Sequence, residues 1–151
     1  MVLFDEPPAV QGVEARPARD VQELAAARAV AWKAFGMERE PDEEAARARW
    51  AEETELGWWR TFVALVDGEI VGAGTSTYVE GAVTLNGGSV LPEARGRGAY
   101  RALVRARWED AAARGTPTLV TQAGRMSLPI LERIGFREVA RIKILVDRFA
   151  S

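Results

Sequence analysis

The sequence predicts a mixed α/β domain in which antiparallel strands come first and a helical crossover to a further strand comes later. Three observations carry this. Asp67-Gly68, between two β-rich apolar runs, is a hairpin turn dipeptide. Two acidic helix starts precede it: Asp20 with Glu23, and Pro41 followed by Asp42, Glu43 and Glu44. Residues 90–100, Val-Leu-Pro-Glu-Ala-Arg-Gly-Arg-Gly-Ala-Tyr, then run from a strand end through an arginine–glycine turn into an alanine-rich helix.

Element by element, residues 1–12, with Pro7 and Pro8, read as an extended N-terminal tail, and residues 13–151 as one domain. A short strand over 13–16 leads to a helix over 21–35, where Leu24, Ala27, Arg28, Ala31 and Phe35 share a face and Gly36 is the stop. The second helix starts near Pro41 and stops at Gly57. Residues 61–66 and 70–78 form the hairpin, and Glu80-Gly81 turns the chain into a strand over 82–91. Gly87 and Gly88 inside that strand mark a bulge or close backbone approach, or else a twist or packing requirement. A helix over about 99–114 and a strand over 118–122 follow. Ser127 as cap, Pro129 in the first turn and Gly135 at the end suit a short helix. Residues 139–147 read as a last strand, Arg141 and Lys143 alternating with Ile142 and Ile144.

Composition narrows the chemistry. The chain has 151 residues, 48% hydrophobic and 28% charged, enough for one full core. It has no cysteine and no histidine, so no thiolate nucleophile, no sulfur metal site and no imidazole base. We expect no metal. A net charge of −2, with arginines gathered at one loop, argues against a nucleic-acid partner. No apolar run reaches membrane-spanning length, and Asp5 and Glu6 stand where a signal peptide would be basic. A cytoplasmic location is the expectation.

At the arginine–glycine turn, Gly96 and Gly98 permit tight turning and close approach of a ligand. The helix N-terminus that follows offers unpaired N–H groups to a phosphate. Arg95, Arg97 and Arg101 crowd the same end, and a bound anion would turn their repulsion with the dipole into attraction. A dinucleotide fingerprint fails, because Arg101 stands where a third small residue belongs, and no Gly-Lys-Ser/Thr phosphate loop exists.

The stretch resembles the acyl-CoA-binding motif of the GNAT superfamily of acetyltransferases, Arg/Gln-x-x-Gly-x-Gly/Ala. Arg95 and Gly98 match, whereas Tyr100 takes the usually small position. A second resemblance, Ser127-Leu-Pro-Ile-Leu-Glu-Arg-Ile-Gly-Phe136, follows in the right order. The resemblance implies a central, mostly antiparallel twisted sheet flanked by helices, with a splayed strand pair that holds acyl-CoA. It implies pantetheine contacts from Ser89, Val90 and Leu91, and pyrophosphate contacts from Arg95, Gly96, Arg97, Gly98, Ala99 and Tyr100. Ser127 joins these as a cofactor contact. The implied co-substrate is acetyl-CoA or another acyl-CoA, and the acceptor a small-molecule or peptide amine.

The catalytic groups implied by the resemblance are softer. The Leu91 backbone N–H is the candidate oxyanion donor. The tyrosine that often protonates the leaving thiolate corresponds to Leu131, and a frequent asparagine falls near Gly124, so the usual acid is missing. Ser127 is the nearest replacement, although a helix cap is also its natural role. Asn86 and Ser89 lie on the key strand on opposite faces, so at most one can look into the acceptor groove. Glu80, Glu93, Tyr78 and Gln122 are further polar candidates, and Trp58-Trp59 the better candidate for an acceptor wall among the tryptophans. The reading is an N-acyltransferase acting through a ternary complex, since no cysteine can carry the acyl group. The alternative is a non-catalytic acyl-CoA-binding or interaction module. The short chain after Phe136 suggests a homodimer in which the partner completes the groove.

Overall fold

The computed structural model describes residues 1–39, 42–143 and 145. Its strands are β1 (Val2–Leu3), β2 (Glu14–Pro17), β3 (Trp59–Val66), β4 (Glu69–Val79), β5 (Ala82–Val90) and β6 (Leu119–Thr121). Its helices are α1 (Val21–Ala34), α2 (Glu43–Leu56), α3 (Ala99–Ala113) and α4 (Leu128–Ile134). One sheet runs β1-β6-β5-β4-β3-β2. Every pairing is antiparallel except β5 with β6, which the α3 crossover makes parallel.

Local chemistry explains most boundaries. The Asp20 carboxylate accepts from the Glu23 N–H at 2.8 Å and Asp42 from the Ala45 N–H at 2.9 Å, capping α1 and α2. Gly57 ends α2 at φ 66°. Asp67 and Gly68 both have positive φ, 53° and 83°, the twist a two-residue hairpin needs. Pro41, read as the start of the second helix, lies outside the described residues.

Two helical layers cover the sheet. Leu103, Ala99 and Ala106 of α3 pack on Phe62, Ala64 and Val90, while α4 adds Leu131 and Ile134 beside Val83 and Leu85. On the opposite face, Ala27 and Val30 of α1 cover Val63 and Ala73. Phe62, Val63, Leu103 and Leu131 are wholly inaccessible. Burying a side chain of this size contributes about 1.5–3 kcal/mol.

Three expectations change. Residues 1–12 are extended but not free. Val2 and Leu3 pair with Val120 and Leu119, and Leu3 is 1% exposed in the core. The segment then crosses the outer side of α3, with Pro7 buried, its carbonyl accepting from Arg105 at 2.5 Å, and Glu6 paired with the same arginine. The described part of 139–147 is not a strand; Val139, Ile142 and Leu145 are exposed, and the remainder lies outside the described residues. An apolar β1 occupies the edge of β6, joined by a bridge between Val2 and Arg137. Phe35 does not continue the buried face of α1. It stands at the C-cap, 60% exposed, because the chain leaves the helix there.

Candidate functional site

Of β5, β6 pairs with only Val83, Thr84 and Leu85. Beyond Leu85 the two strands part, leaving residues 86–90 of β5 without a sheet neighbour on that side among the described residues. The other side of β5 is bulged. Between the pairs Ala73–Ser89 and Thr75–Asn86, β4 has one intervening residue, Gly74, and β5 has two, Gly87 and Gly88. Gly87 takes φ 59°, as the extra residue of a bulge commonly does. Gly88 has a different reason: a Cβ there would lie 2.8 Å from Cε2 of Tyr100. The glycine makes room for the large ring.

β5 ends in a 3-10 turn, Pro92–Ala94, and then the arginine–glycine loop. Gly96 and Gly98 have φ 81° and 91°. No side chain caps α3 and no acidic residue sits in its first turn, so the Ala99, Tyr100 and Arg101 N–H groups remain without helical partners. The loop arginines point to separate tasks. Arg95 Nε donates to the Val90 carbonyl at 3.4 Å, and Arg97 pairs with Asp67 at 3.0 Å. Glu93 pairs with Lys33 at 2.7 Å, which holds its carboxyl below the ordinary carboxylate range.

A cleft of about 340 Å³ opens on the α1 face of the sheet beside the bulge. Thr61, Thr75, Gly74 and Gly87 form its floor, and Arg28 and Arg49 stand in its walls. Behind it, Glu53 is 6% exposed and accepts from the Thr61 N–H at 2.8 Å and the Thr61 hydroxyl at 2.7 Å. Trp59 is 2% exposed and meets Trp58 edge-on at 4.4 Å between centroids, while Trp58 is 50% exposed. The two adjacent rings therefore pack against each other instead of pointing opposite ways, with only Trp58 reaching the surface, and the buried Trp59 lies against Arg49.

The comparisons with known proteins bear on this geometry. Residues 24–136 match the Acetyltransferase (GNAT) family. The chain belongs to the GNAT acetyltransferase family. No curated protein matches it in sequence. A Trypanosoma brucei acetyltransferase shares the fold at TM-score 0.71 and 22% identity, over 89% of this chain and 99% of that one. The aminoglycoside N-acetyltransferase AAC(6')-Iy, solved with the bisubstrate analogue CoA-S-monomethyl-acetylneamine, superimposes at TM-score 0.72 and 21% identity, over 91% and 99%. A predicted acetyltransferase from Clostridium acetobutylicum, solved with acetyl-CoA, does so at TM-score 0.68 and 13% identity, over 89% and 96%. The mixed α/β fold expected for a GNAT acyltransferase is the fold found.

Within this GNAT protein the expected site residues fare differently. Ser89, Val90, Arg95, Gly96, Arg97, Gly98, Ala99 and Tyr100 lie on one path, from the unpaired edge of β5 to the first turn of α3. Leu91 needs correction as an oxyanion donor, because its N–H already donates to the Val71 carbonyl at 2.9 Å. Alternation along a strand then turns the Val90 amide to the opposite, unpaired edge, the side from which Arg95 reaches the Val90 carbonyl.

Asn86 and Ser89 share a face, contrary to the expectation that they lie on opposite ones. Their partners Thr75 and Ala73 are two apart on β4, and the extra residue of the bulge restores the phase of β5. Asn86 is exposed and donates to the Thr77 hydroxyl at 3.1 Å, whereas Ser89 is buried. Ser127 does not cap α4. Its hydroxyl accepts from the Gly124 N–H at 3.0 Å, closing the preceding turn, and its own backbone is already helical. Leu131 is wholly buried in the core, so a tyrosine hydroxyl at that position would find no active-site space.

Tyr78 is also committed elsewhere. Its hydroxyl donates to Asp110 at 2.5 Å, and Asp110 also receives Arg60 at 2.6 Å and Arg114 at 3.0 Å. Burial and the Asp110 hydrogen bond raise its pKa, so at neutral pH the phenol stays protonated with its proton directed at Asp110. Sequence reasoning missed two residues. Glu53 looked like one of many charged positions on an acidic helix, and only its contact with Thr61 shows it to be buried. Arg107 of α3 is 1% exposed, its Nε donating to the Leu103 carbonyl at 3.0 Å, beneath Gly74 and Gly88. Burial lowers its pKa to about 10, which leaves it charged at neutral pH. Its two terminal nitrogens have no partner among the described residues. No group of His, Cys, Asp or Glu among the described residues could hold a metal, and no described helix is long and apolar enough to cross a membrane.

Proposed function

We propose that the protein transfers an acetyl group from acetyl-CoA to a primary amine, by direct attack within a ternary complex. The single observation that carries this reading is the unpaired edge of β5, which runs into the uncapped N-terminus of α3 and lies beside an open cleft. These residues fit acyl-CoA. An extended pantetheine arm can pair with the free groups of residues 86–90 as an added strand would. The N–H groups of Ala99, Tyr100 and Arg101, with the backbone of Gly96 to Gly98, would receive the pyrophosphate. Acetyl-CoA supplies an activated thioester carbonyl.

The chain's own residues position and polarise. The outward Val90 N–H would stabilise negative charge growing on the thioester oxygen. The cleft at Gly87 admits the amine from the α1 face, and holding both reactants together supplies much of the rate. Neither Leu131 nor Tyr78 serves as acid, so the departing thiolate takes its proton from solvent or from Ser127. We place the reaction in the cytoplasm.

The test is thiol release from acetyl-CoA with pooled metabolite amines and then peptides, against a protein that contributes no thiol of its own. Release should depend on added amine and rise with pH as more of the amine is neutral. A CoA-induced rise in Tm without amine-dependent release from any pool would favour a non-catalytic acyl-CoA-binding module.

A further inference from the structure

We infer that the acceptor carries an anionic group, a carboxylate or phosphate, alongside its amine, and that Arg28 and Arg49 receive it. This rests on the acetyl-transfer reading above and names the substrate class of the same site.

The cleft beside Gly87 is lined by two charged residues, and both are arginines. Neither is neutralised within the cleft by a described residue. Arg28 makes no ion pair among the described residues; it donates to the Ala45 carbonyl at 3.3 Å and lies 5.2 Å from the Trp32 ring centroid. Arg49 lies 4.1 Å from the Trp59 centroid, and its nearest carboxylate is Glu52, at 4.0 Å on the half-exposed rim. The buried Glu53 turns both oxygens to Thr61 and is not among the residues that line the cleft.

A guanidinium resting on an aromatic face keeps its planar fork of N–H donors available at the edge, the geometry that matches carboxylate and phosphate oxygens. Its entropy of immobilisation is already lost to the ring. The volume, about 340 Å³, suits a small metabolite rather than a folded protein surface.

The same two charges act on the amine. A nearby cation disfavours the ammonium form and increases the fraction of neutral amine that can attack. An anionic group on the acceptor draws the molecule in, and the arginines then help deprotonate its other end. A polycation meets like charges instead and is disfavoured.

The experiment compares acceptors that differ only in the anion: common α-amino acids against their amides, and phosphoethanolamine against ethanolamine, with kanamycin as a polycation. Two readouts are taken, kcat/KM for thiol release and calorimetric affinity for the CoA-bound protein. The inference expects the anionic member of the best pair to exceed its neutral partner at least about tenfold in both readouts. Arg28→Gln and Arg49→Gln should each shrink that ratio, with partial recovery in Arg28→Lys and Arg49→Lys. The carboxylate and phosphate arms separate the two sources of the anion. Neutral amines or kanamycin accepted as well as anionic ones would overturn the inference and leave acetyl transfer standing. Arginine-dependent binding of anionic amines with no turnover of any amine would do the reverse. A ratio near one in the wild-type protein refutes the inference even if the variants fail to fold.

Discussion

Gly98→Ala isolates what the arginine–glycine loop demands of its backbone. Gly98 has φ 91° and ψ 0°, a left-handed conformation that costs an ordinary L-residue about 1–2 kcal/mol. A Cβ there would lie 2.8 Å from Cγ1 of Val10, in the segment that crosses α3, and moving that segment aside costs about 1 kcal/mol more. The expected loss is therefore about 2–3 kcal/mol, which for a chain of this length lowers Tm by about 4–12 °C. The two parts separate in a double variant. With Val10→Ala in the background the contact is gone and only the dihedral cost remains, so the two substitutions should couple by about 1 kcal/mol. Urea unfolding of wild type, both single variants and the double variant, with m unchanged, measures this directly. Gly98→Ala within about 0.5 kcal/mol of wild type would refute both the strain and the contact.

Three further outcomes are expected. Leu131→Tyr should destabilise the fold by about 1–3 kcal/mol in denaturant and should not raise turnover, because its site is wholly buried core; faster thiol release would show that the position reaches the thioester after all. Gly88→Ala should lower Tm, since its Cβ would strike the Tyr100 ring, and Tyr100→Ala in the same chain should return part of the loss; an unchanged Tm in Gly88→Ala would contradict the packing. Glu23 accepts from Arg16 at 2.6 and 2.8 Å, which holds its carboxyl below the ordinary value. Its contribution is complete above that ordinary value, about pH 4.3, and is lost as pH falls through the lowered one. Glu23→Gln should therefore be less stable than wild type at pH 7 and lose less stability on acidification; parallel acid limbs in urea titrations would reject the pair as a source of stability.

The proposed cation-lined cleft also gives the superpositions a chemical contrast. AAC(6')-Iy, an aminoglycoside N-acetyltransferase, shares this fold at 21% identity. The proposed cleft lies between α1 and α2 on one side and the sheet on the other.

What the sequence determined by itself is local in origin. Caps at Asp20 and Asp42, the Asp67-Gly68 turn, the glycine stops and the strand–turn–helix junction at 90–100 each depend on residues within a turn or two of one another, so their physics is written in the order of the chain. The family motif belongs to this class, because Arg95 to Tyr100 are contiguous. Tertiary structure alone decided the rest. Gly87 and Gly88 left a bulge and a packing requirement both open, and the protein uses one glycine for each: which applies depends on Gly74 across the sheet and Tyr100 beneath it. That single extra residue put Asn86 and Ser89 on one face. The Leu91 N–H was a plausible donor until Val71, twenty residues away in sequence, claimed it. Val2 and Leu3 became a strand only because β6 offered an unpaired edge and the core a space for Leu3. A backbone donor, a strand edge or a buried charge has its role assigned by whatever reaches it first in space, and proximity in space across distant segments is the one quantity the linear order of residues does not state.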